Sequence, residues 1–248
     1  MKNKIIALLL PLAISVTQAQ TLHWATEATY PPFETSTPNG TLEGFDIDLM
    51  NAVCKHMNAQ CTIENTAFDS LIPSLKIGKY DAIIGGLAIT EKRKKVINFS
   101  KSYYKDKVIV VSKETINKNW WKGKTIGVQS GTVYQSFLNH FHPESNIKTY
   151  QSNMSALLDL KSGRIDAVLI DEPVYIAWKK LQSNPPQWQS IQAAINDEQS
   201  KALGELGNGI GISKSNPQLL DSINQALDAI KASGELEQIK NKWFKKND

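Results

Sequence analysis

Apolar residues along the chain form two alternating patterns: short continuous runs, and stripes spaced three or four residues apart. The runs predict buried β-strands and the stripes predict amphipathic helices. The predicted strands cover residues 22–26, 61–63, 82–84, 108–111, 125–128, 147–150, 167–170 and 211–213. The predicted helices cover residues 45–58, 69–77, a short segment after Thr90, 133–141, 154–162, 173–180, 217–232 and 235–243. Residues 182–209 show neither pattern and are predicted to be irregular.

A stretch near residue 80 is echoed near residue 165. Residues 75–84 and 160–169 both read as a helix end, a glycine (Gly78 or Gly163) and a buried strand. Together with the alternation of strands and helices, this echo predicts an α/β chain with two lobes of similar architecture. Ligands of open α/β sheets bind at the carboxyl ends of strands. The sequence therefore predicts a site in the cleft between the lobes.

The N-terminus has the layout of a secretory signal peptide over residues 1–19. Lys2 and Lys4 precede an apolar run at 5–16. The small residues Thr17 and Ala19 occupy the two positions that signal peptidase recognises. The run is too short to span a bilayer, although an N-terminal membrane anchor is the alternative interpretation. We expect the mature chain to begin near Gln20 and to be exported.

Composition narrows the classes of function. The chain is 41% hydrophobic and 21% charged, which is typical of a globular core. Its formal charge of +4 falls when Lys2 and Lys4 are removed, so no nucleic-acid partner is predicted. In an exported chain, Cys54 and Cys61 predict a disulfide, with two buried free thiols as the alternative. No histidine or carboxylate cluster has metal-ligand spacing, so neither a metal nor a cofactor is predicted.

Charged candidates lie near the predicted strand ends. Arg93 stands three residues after Thr90, near a helix start, where it can bind a carboxylate; a solvent-facing arginine in a basic run is the alternative. Asp171 follows a buried strand and can bind an ammonium group, or can simply cap the next helix. Residues 127–132 form a strand-turn-helix junction whose N–H groups and Thr132 hydroxyl suit an anion.

Aromatic and small residues complete the candidate set. Tyr30 follows the first strand in a loop stiffened by two prolines, and Phe68 precedes a helix. Their rings can flank a flat or cationic side chain, although core packing is the usual role of such residues. Glu27 lies at the end of the first strand and can accept a guanidinium or ammonium group, unless it is a surface glutamate. Gly85, Gly86 and Ala88 follow the first repeated strand.

Several ordered motifs resemble the periplasmic polar amino-acid-binding proteins of ABC importers, the group that binds histidine, or lysine, arginine and ornithine. The resemblance covers essentially the whole mature chain. It rests on Tyr30-Pro31-Pro32-Phe33-Glu34, Gly44-Phe45-Asp46-Ile47-Asp48-Leu49, Leu71-Ile72-Pro73-Ser74-Leu75-Lys76, Asp81-Ala82-Ile83-Ile84 and Ile89-Thr90-Glu91-Lys92-Arg93. The spacing of Cys54 and Cys61 also looks like the disulfide of this family.

The resemblance implies a two-lobe periplasmic binding protein type II fold, in which each lobe is a mixed sheet flanked by helices. It implies a first lobe of residues 20–107 and 206–248 and a second lobe of residues 108–205. A two-strand hinge, with crossings near Val108 and Gly209, would join the lobes. We expect the lobes to close around the ligand.

The resemblance also implies ligand contacts. Arg93 would bind the α-carboxylate with the Ala88 N–H and Thr132. Asp171 would bind the α-ammonium with the Gly86 carbonyl. The remaining implied contacts are Tyr30 and Phe68 beside the ligand side chain, Glu27 and Gln129 at its distal end, and Gly85 in the strand-end loop. Histidine-type relatives have serines at the positions of Gly85, Gly86 and Ala88. This chain can therefore make the same backbone contacts with the ligand, but it lacks the hydroxyl contacts. Val133 is another variable position.

Glu27 and two aromatic rings favour a cationic ligand, so the expected order is arginine, followed by lysine, ornithine or histidine. The expected partners are this free amino acid and an ABC permease in the inner membrane, with a monomeric protein in the periplasm. One rival is a secreted dehydratase for prephenate or arogenate, with Glu172 or Glu27 as general acid. Another rival is a ligand-sensing receptor or adhesin that needs a separate signalling partner. A surface antigen role is a third possibility.

Overall fold

The computed structural model of the protein describes residues 21–105, 107–117, 120–193 and 196–245. The predicted signal peptide at 1–19 lies outside these residues. Over the described ranges the chain is a mixed α/β structure with two five-stranded sheets and a small three-stranded sheet. Helices flank both large sheets, which confirms the predicted fold class of two sheet-bearing lobes. No helix within these ranges combines the length and apolar character needed to cross a membrane.

The first large sheet contains the N-terminal strand. Its members are β1 (Thr21–Thr26), β5 (Gln60–Asn65), β6 (Ala82–Ile83), β7 (Asn98–Phe99) and β13 (Gly211–Ile212), and their order is β5-β1-β6-β13-β7. The first three strands in this order are parallel, whereas β13 is antiparallel to both of its neighbours. A three-stranded meander follows β1 and consists of β2 (Thr29–Tyr30), β3 (Glu34–Ser36) and β4 (Leu42–Glu43).

The second large sheet repeats this pattern of strand directions. Its members are β8 (Val108–Ser112), β9 (Thr125–Gln129), β10 (Asn146–Tyr150), β11 (Ala167–Asp171) and β12 (Gln189–Gln192), and their order is β10-β9-β11-β8-β12. Again the first three strands in this order are parallel, whereas β8 is antiparallel to both of its neighbours, β11 and β12. The echoed glycines have matching backbones, since φ is 77° at Gly78 and 74° at Gly163. The echo in the sequence therefore corresponds to two similar units.

The helices pack their apolar stripes against the sheets and against each other. They are α1 (Phe45–His56), α2 (Phe68–Lys76), α3 (Glu91–Lys94), α4 (Val133–Phe141), α5 (Asn153–Lys161), α6 (Glu172–Lys180), α7 (Asp197–Ala202), α8 (Pro217–Ala232) and α9 (Glu235–Phe244). In α8, Leu219, Ile223 and Ile230 are buried at helical spacing, and this face packs on α1. Cys54 in α1 is disulfide-bonded to Cys61 in β5, which confirms the predicted bridge.

Every strand and helix predicted from the pattern is present, and the prediction for residues 182–209 is wrong. That region contains β12 and α7. All four residues of β12 are exposed, so no alternation of apolar and polar positions marks the strand. The short strands β2, β3, β4 and β7 were also not predicted, because two or three residues are too few to show a period of two.

The chain passes between the large sheets twice, once between β7 and β8 and once between β12 and β13. Asn208 forms antiparallel bridges to Ala88 and to Tyr104, so the two connecting segments meet. This arrangement lets the carboxyl ends of β1 and β6 face those of β9 and β11 across a cleft.

Candidate functional site

A small pocket lies between the facing strand ends of the two large sheets. Its wall contains nine of the ten residues predicted to bind ligand, and adds Val133 and Tyr134. The lining residues are Tyr30, Phe68, Gly85, Gly86, Ala88, Arg93, Gln129, Thr132, Val133, Tyr134 and Asp171. The tenth predicted residue, Glu27, is not part of this wall but is hydrogen-bonded to Gln129, which is. Segments more than a hundred residues apart in the chain thus meet in one site.

Arg93 is a buried cation with no acidic partner among the residues that the structure describes. Thr90 caps the short helix α3 by accepting a hydrogen bond from the Arg93 N–H at 3.2 Å. The guanidinium lies 5.6 Å from the centre of the Phe68 ring and donates to the carbonyls of Ala88 (2.9 Å) and Gly131 (3.3 Å). Burial lowers its pKa to about 10, so it remains protonated at neutral pH. An anion entering the cavity would supply the missing countercharge.

Asp171 ends β11 and is a buried acid that no cation in the described ranges accompanies. It occupies the N-cap of α6, but its side chain makes no capping hydrogen bond. Capping, the alternative role considered from the sequence, is therefore not what this side chain does. Burial alone raises the pKa of Asp171 to about 8. A cation beside it would stabilise the ionised carboxylate and lower this pKa.

Glu27 lies just past β1 and accepts hydrogen bonds from two described side chains. Its Oε2 accepts a hydrogen bond from Gln129 Nε2 at 3.1 Å, and its Oε1 accepts one from the Thr29 hydroxyl. Glu27 is only 5% exposed, so it is not the surface glutamate considered as an alternative. Burial raises the pKa of Glu27, whereas the hydrogen bonds from Thr29 and Gln129 lower it.

The aromatic wall is formed by Tyr30 and Phe68. The Tyr30 ring stacks on Phe33 with 5.4 Å between centroids and contacts the backbone of Gly86 on the cavity side. A Cβ on Gly86 would lie 2.8 Å from Tyr30 Cε1, so only glycine fits against this ring. Gly86 also has a φ of 54°, which other residues rarely adopt. The absence of a side chain here is therefore a requirement of the packing.

Asp46 and Glu34 support the Gly85–Gly86 segment from behind, and sequence reasoning missed this role. Asp46 Oδ2 accepts hydrogen bonds from the Gly86 N–H (2.8 Å) and the Tyr103 hydroxyl (2.9 Å). Burial raises the pKa of Asp46 to about 6. Burial and the adjacent Asp46 charge raise the pKa of Glu34 well above its ordinary value. The sequence marked Asp46 only as part of a helix start, and its partner Gly86 is forty residues away.

Three side-chain hydrogen bonds between described residues join the two sides of the cleft. They are the Glu27–Gln129 hydrogen bond, the Arg93–Gly131 hydrogen bond, and a 3.1 Å hydrogen bond from the Ser130 hydroxyl to Asp69 Oδ2. On the far side, the Thr132 hydroxyl donates to the Gln129 carbonyl at 2.8 Å. The structure is therefore in a conformation in which both sides touch around the cavity.

Comparison with known proteins gives a consistent result. The family model for bacterial extracellular solute-binding proteins, family 3, matches residues 22–246. The chain is 41% identical to ABC transporter arginine-binding protein 1 of Escherichia coli, covering 96% of each chain. It is 39% identical to the arginine-binding periplasmic protein of Mannheimia haemolytica, covering 98% of this chain and 99% of that one.

Solved structures agree with this relationship. A Salmonella typhimurium periplasmic binding protein described for its high arginine specificity has a TM-score of 0.83 and 39% identity, covering 92% of this chain and 100% of that one. An ancestral arginine-binding protein bound to arginine has a TM-score of 0.81 and 35% identity, covering 91% and 98%. By sequence and by structure, the chain belongs to the bacterial extracellular solute-binding proteins, family 3.

Proposed function

We propose that this chain is the extracytoplasmic ligand-binding component of an ABC importer and that it binds a free cationic L-amino acid, with arginine preferred over lysine, ornithine and histidine. One observation carries the proposal: Arg93 and Asp171 line the same cavity, both are buried, and neither has a partner of opposite charge in the described part of the chain. A zwitterion with one carboxylate and one ammonium would satisfy both groups at once. Free amino acids share this pair of charges.

The roles of the lining residues follow from this match. The guanidinium of Arg93 binds the α-carboxylate as a bidentate partner, assisted by the Ala88 N–H and the Thr132 hydroxyl. Asp171 binds the α-ammonium with the Gly86 carbonyl, and Gly85 shapes the adjoining backbone. A micromolar ligand needs about 8 kcal/mol of binding free energy, which several charge-assisted hydrogen bonds in a dry cleft can supply.

The distal end of the cavity selects the side chain. Tyr30 and Phe68 offer flat faces to a guanidinium, and Glu27 with Gln129 offers hydrogen-bond acceptors. A buried carboxylate without a cation is costly, so this end disfavours apolar side chains. The names of relatives support the same order: those near 40% identity bind arginine, and histidine-binding periplasmic proteins of Escherichia coli and Salmonella typhimurium are 37% identical.

The cellular setting is also part of the proposal. The segment at 1–19 directs export as a signal peptide, and the mature monomer acts in the periplasm. Residues 20–107 with 206–248 form one lobe and residues 108–205 form the other. The lobes close on the ligand by a hinge at the two connecting segments, and a membrane permease then receives the closed form. The dehydratase alternative is not favoured, because the similar relatives named above are arginine-binding proteins by name.

The proposal is tested by a thermal-shift panel on refolded, ligand-stripped protein, with the twenty amino acids, ornithine and citrulline. A ligand that binds only the folded state raises the melting temperature by mass action. We expect the largest shift with arginine and little with citrulline, which lacks the positive charge. No shift with any amino acid would contradict the proposal, and a shift with prephenate alone would revive the dehydratase alternative.

A variant of Glu27 tests the role of charge. Glu27→Gln should weaken arginine binding by about 10- to 100-fold, because a hydrogen bond to a charged group contributes about 1.5–3 kcal/mol. The affinity for citrulline should change much less. Glu64→Gln is the matched control, because Glu64 is exposed, pairs with Lys79 and lies away from the cavity. Calorimetric titration of both variants with both ligands measures the difference, and equal losses for the two ligands would refute the charge assignment.

A further inference from the structure

Asn153 is a fully buried amide at the first position of α5, next to the distal end of the cavity. It is 1% exposed, and the residue before it, Ser152, caps the helix by accepting from the Ser155 N–H. Asn153 is therefore not needed as a cap. It does not line the cavity and was not predicted as a site residue. Its side chain points instead at Gln129, which does line the cavity.

The hydrogen bonds around Gln129 fix the orientation of its amide. Gln129 Nε2 donates to Glu27 Oε2 at 3.1 Å and to the Gln151 carbonyl at 3.0 Å. A carbonyl and an ionised carboxylate accept hydrogen bonds and do not donate them, so the nitrogen must face them. Gln129 Oε1 then faces Asn153, whose Nδ2 donates to it at 2.8 Å. Asn153 supplies the one donor that this orientation of Gln129 requires.

The amide of Asn153 also carries a cost. Its Oδ1 is buried and has no hydrogen-bond partner in the part of the chain that the structure describes. A buried polar atom without a partner costs about 1–3 kcal/mol, which an apolar side chain at this position would avoid. The part of the side chain that is used is the donor to Gln129. Because the donor is used and the acceptor is not, we infer that Asn153 acts through its hydrogen bond to Gln129.

The consequence appears at the distal end of the cavity. Both amide hydrogens of Gln129 are already engaged, by Glu27 and by Gln151. Glu27 and Gln129 can therefore offer a ligand only hydrogen-bond acceptors, namely the lone pairs of their oxygen atoms. Such acceptors suit a guanidinium or ammonium group, which can only donate hydrogen bonds. A neutral ligand with a carbonyl at its end, such as citrulline or glutamine, finds no donor from these two residues.

We propose that Asn153 is a positioning residue that sets the preference of the cavity for cationic over neutral amino acids, by holding the Gln129 amide so that it donates to Glu27. This inference rests on the proposed function and goes beyond it, since it assigns selectivity to a residue that does not line the cavity. Without the Asn153 donor, Gln129 Oε1 is left buried and unpartnered. The Gln129 side chain then loses one of its three anchors and shifts away from Glu27, which weakens the hydrogen bond that holds the Glu27 carboxylate in place.

The test replaces Asn153 by leucine, which has a similar volume and no donor. For Asn153→Leu we expect the dissociation constant of arginine to rise about tenfold or more, the scale of one lost hydrogen bond to a charged group. Citrulline should bind as well as before or more tightly. Calorimetric titration with both ligands gives the ratio of the two constants. An equal change for both ligands would mean that Asn153 has a merely structural role and would overturn the proposal.

A double-mutant cycle shows whether the effect runs through Glu27. In the Glu27→Gln background, the change Asn153→Leu should leave the arginine-to-citrulline ratio unchanged, because the carboxylate that Gln129 holds is already gone. A further fall of the ratio in that background would overturn the proposal. If the leucine variant does not fold, Asn153→Ala carries the same comparison with a smaller side chain.

The control is Asn146→Leu, because Asn146 is an exposed asparagine in β10, the strand beside β9, and its Nδ2 donates to the Gly123 carbonyl away from the cavity. It should leave both dissociation constants unchanged. The failures of the two proposals are distinguishable. If the unaltered protein binds no amino acid, the proposed function fails and this inference fails with it. If the unaltered protein binds arginine and Asn153→Leu leaves the ratio of the arginine and citrulline dissociation constants unchanged, this inference alone fails.

Discussion

Asp171 carries a proton in the ligand-free cavity at neutral pH, because burial raises its pKa to about 8. A bound α-ammonium beside the carboxyl group would favour the charged form and lower that pKa. Arg93 behaves differently, since it keeps its charge with a pKa of about 10. Binding of a zwitterion therefore exchanges a proton on Asp171 for the ammonium group of the ligand.

This exchange predicts that arginine binding releases close to one proton near pH 6–7, and fewer as pH rises above the pKa of Asp171 in the free protein. Titration calorimetry in two buffers with different ionisation enthalpies measures the proton count. Asp171→Asn should bind more weakly and release fewer protons, whereas Glu27→Gln should retain the release from Asp171. Apparent binding enthalpies that do not depend on the buffer would contradict the prediction.

At the residue scale, the sequence predicted the groups that stand at strand ends and missed those that support them. Arg93, Asp171 and Gln129 follow elements that the hydrophobic pattern marks, so their meeting at one edge could be anticipated. Asp46 and Asn153 act through partners that are distant in sequence and that the fold brings close. The local sequence around either residue does not predict those contacts. Asp46 looks like an ordinary acidic residue in the first turn of a helix.

The turn between β9 and α4 fits closely against the start of α2. Gly131 in this turn has a φ of 75°, and a Cβ added to it would lie 2.7 Å from the Cβ of Asp69. The Gly131 carbonyl accepts a hydrogen bond from Arg93, and the neighbouring Ser130 donates to Asp69. This turn therefore controls how closely the two sides of the cleft approach each other.

We predict that Gly131→Ala weakens arginine binding by about tenfold or more, because the added methyl group holds the turn away from α2 while a positive φ adds strain of about 1 kcal/mol. Gly123→Ala is the matched control: its φ is 72°, but an added Cβ has no atom within 4 Å. It should carry the strain without the clash. Calorimetric titration with arginine compares the two variants, and equal losses of affinity would show that strain alone is responsible.

Elements with a long apolar pattern were predictable, and short or exposed ones were not. Helix α8 extends over Pro217–Ala232 and buries a regular stripe, so its period is clear. Strand β12 is held at the edge of its sheet by pairing with β8, although none of its side chains is buried. Backbone pairing with a neighbour far along the chain leaves no trace in a local hydrophobic pattern.

On the scale of the molecule as far as the structure describes it, four buried carboxyl groups have raised pKa values: Glu27, Glu34, Asp46 and Asp171. An acid whose pKa is higher in the folded than in the unfolded protein takes up a proton on folding. Its effect on stability is therefore most favourable at low pH and is lost as pH rises from the unfolded value, about 4, through the folded value.

The ligand-free protein should accordingly have a higher melting temperature at pH 5 than at pH 8, by about 5 °C or more. Glu34→Gln, which is neutral at every pH, should make this dependence shallower. Glu64→Gln is the control, since Glu64 is exposed and its pKa is lowered by Lys79. Thermal melts between pH 5 and pH 8 test the sign. A melting temperature that rises steadily over this range would mean that the buried acids ionise without cost.

The second large sheet is built from one uninterrupted stretch of chain that begins at β8 and ends at β12. The segments that enter and leave it meet where Tyr104 bridges Asn208. Two recombination points suffice to exchange this whole unit between relatives. The exchanged unit would bring Gln129, Thr132 and Asp171, while the recipient keeps Tyr30, Phe68 and Arg93. Chimeras of this kind would show whether ligand choice is inherited from one half of the cavity or from the match between both.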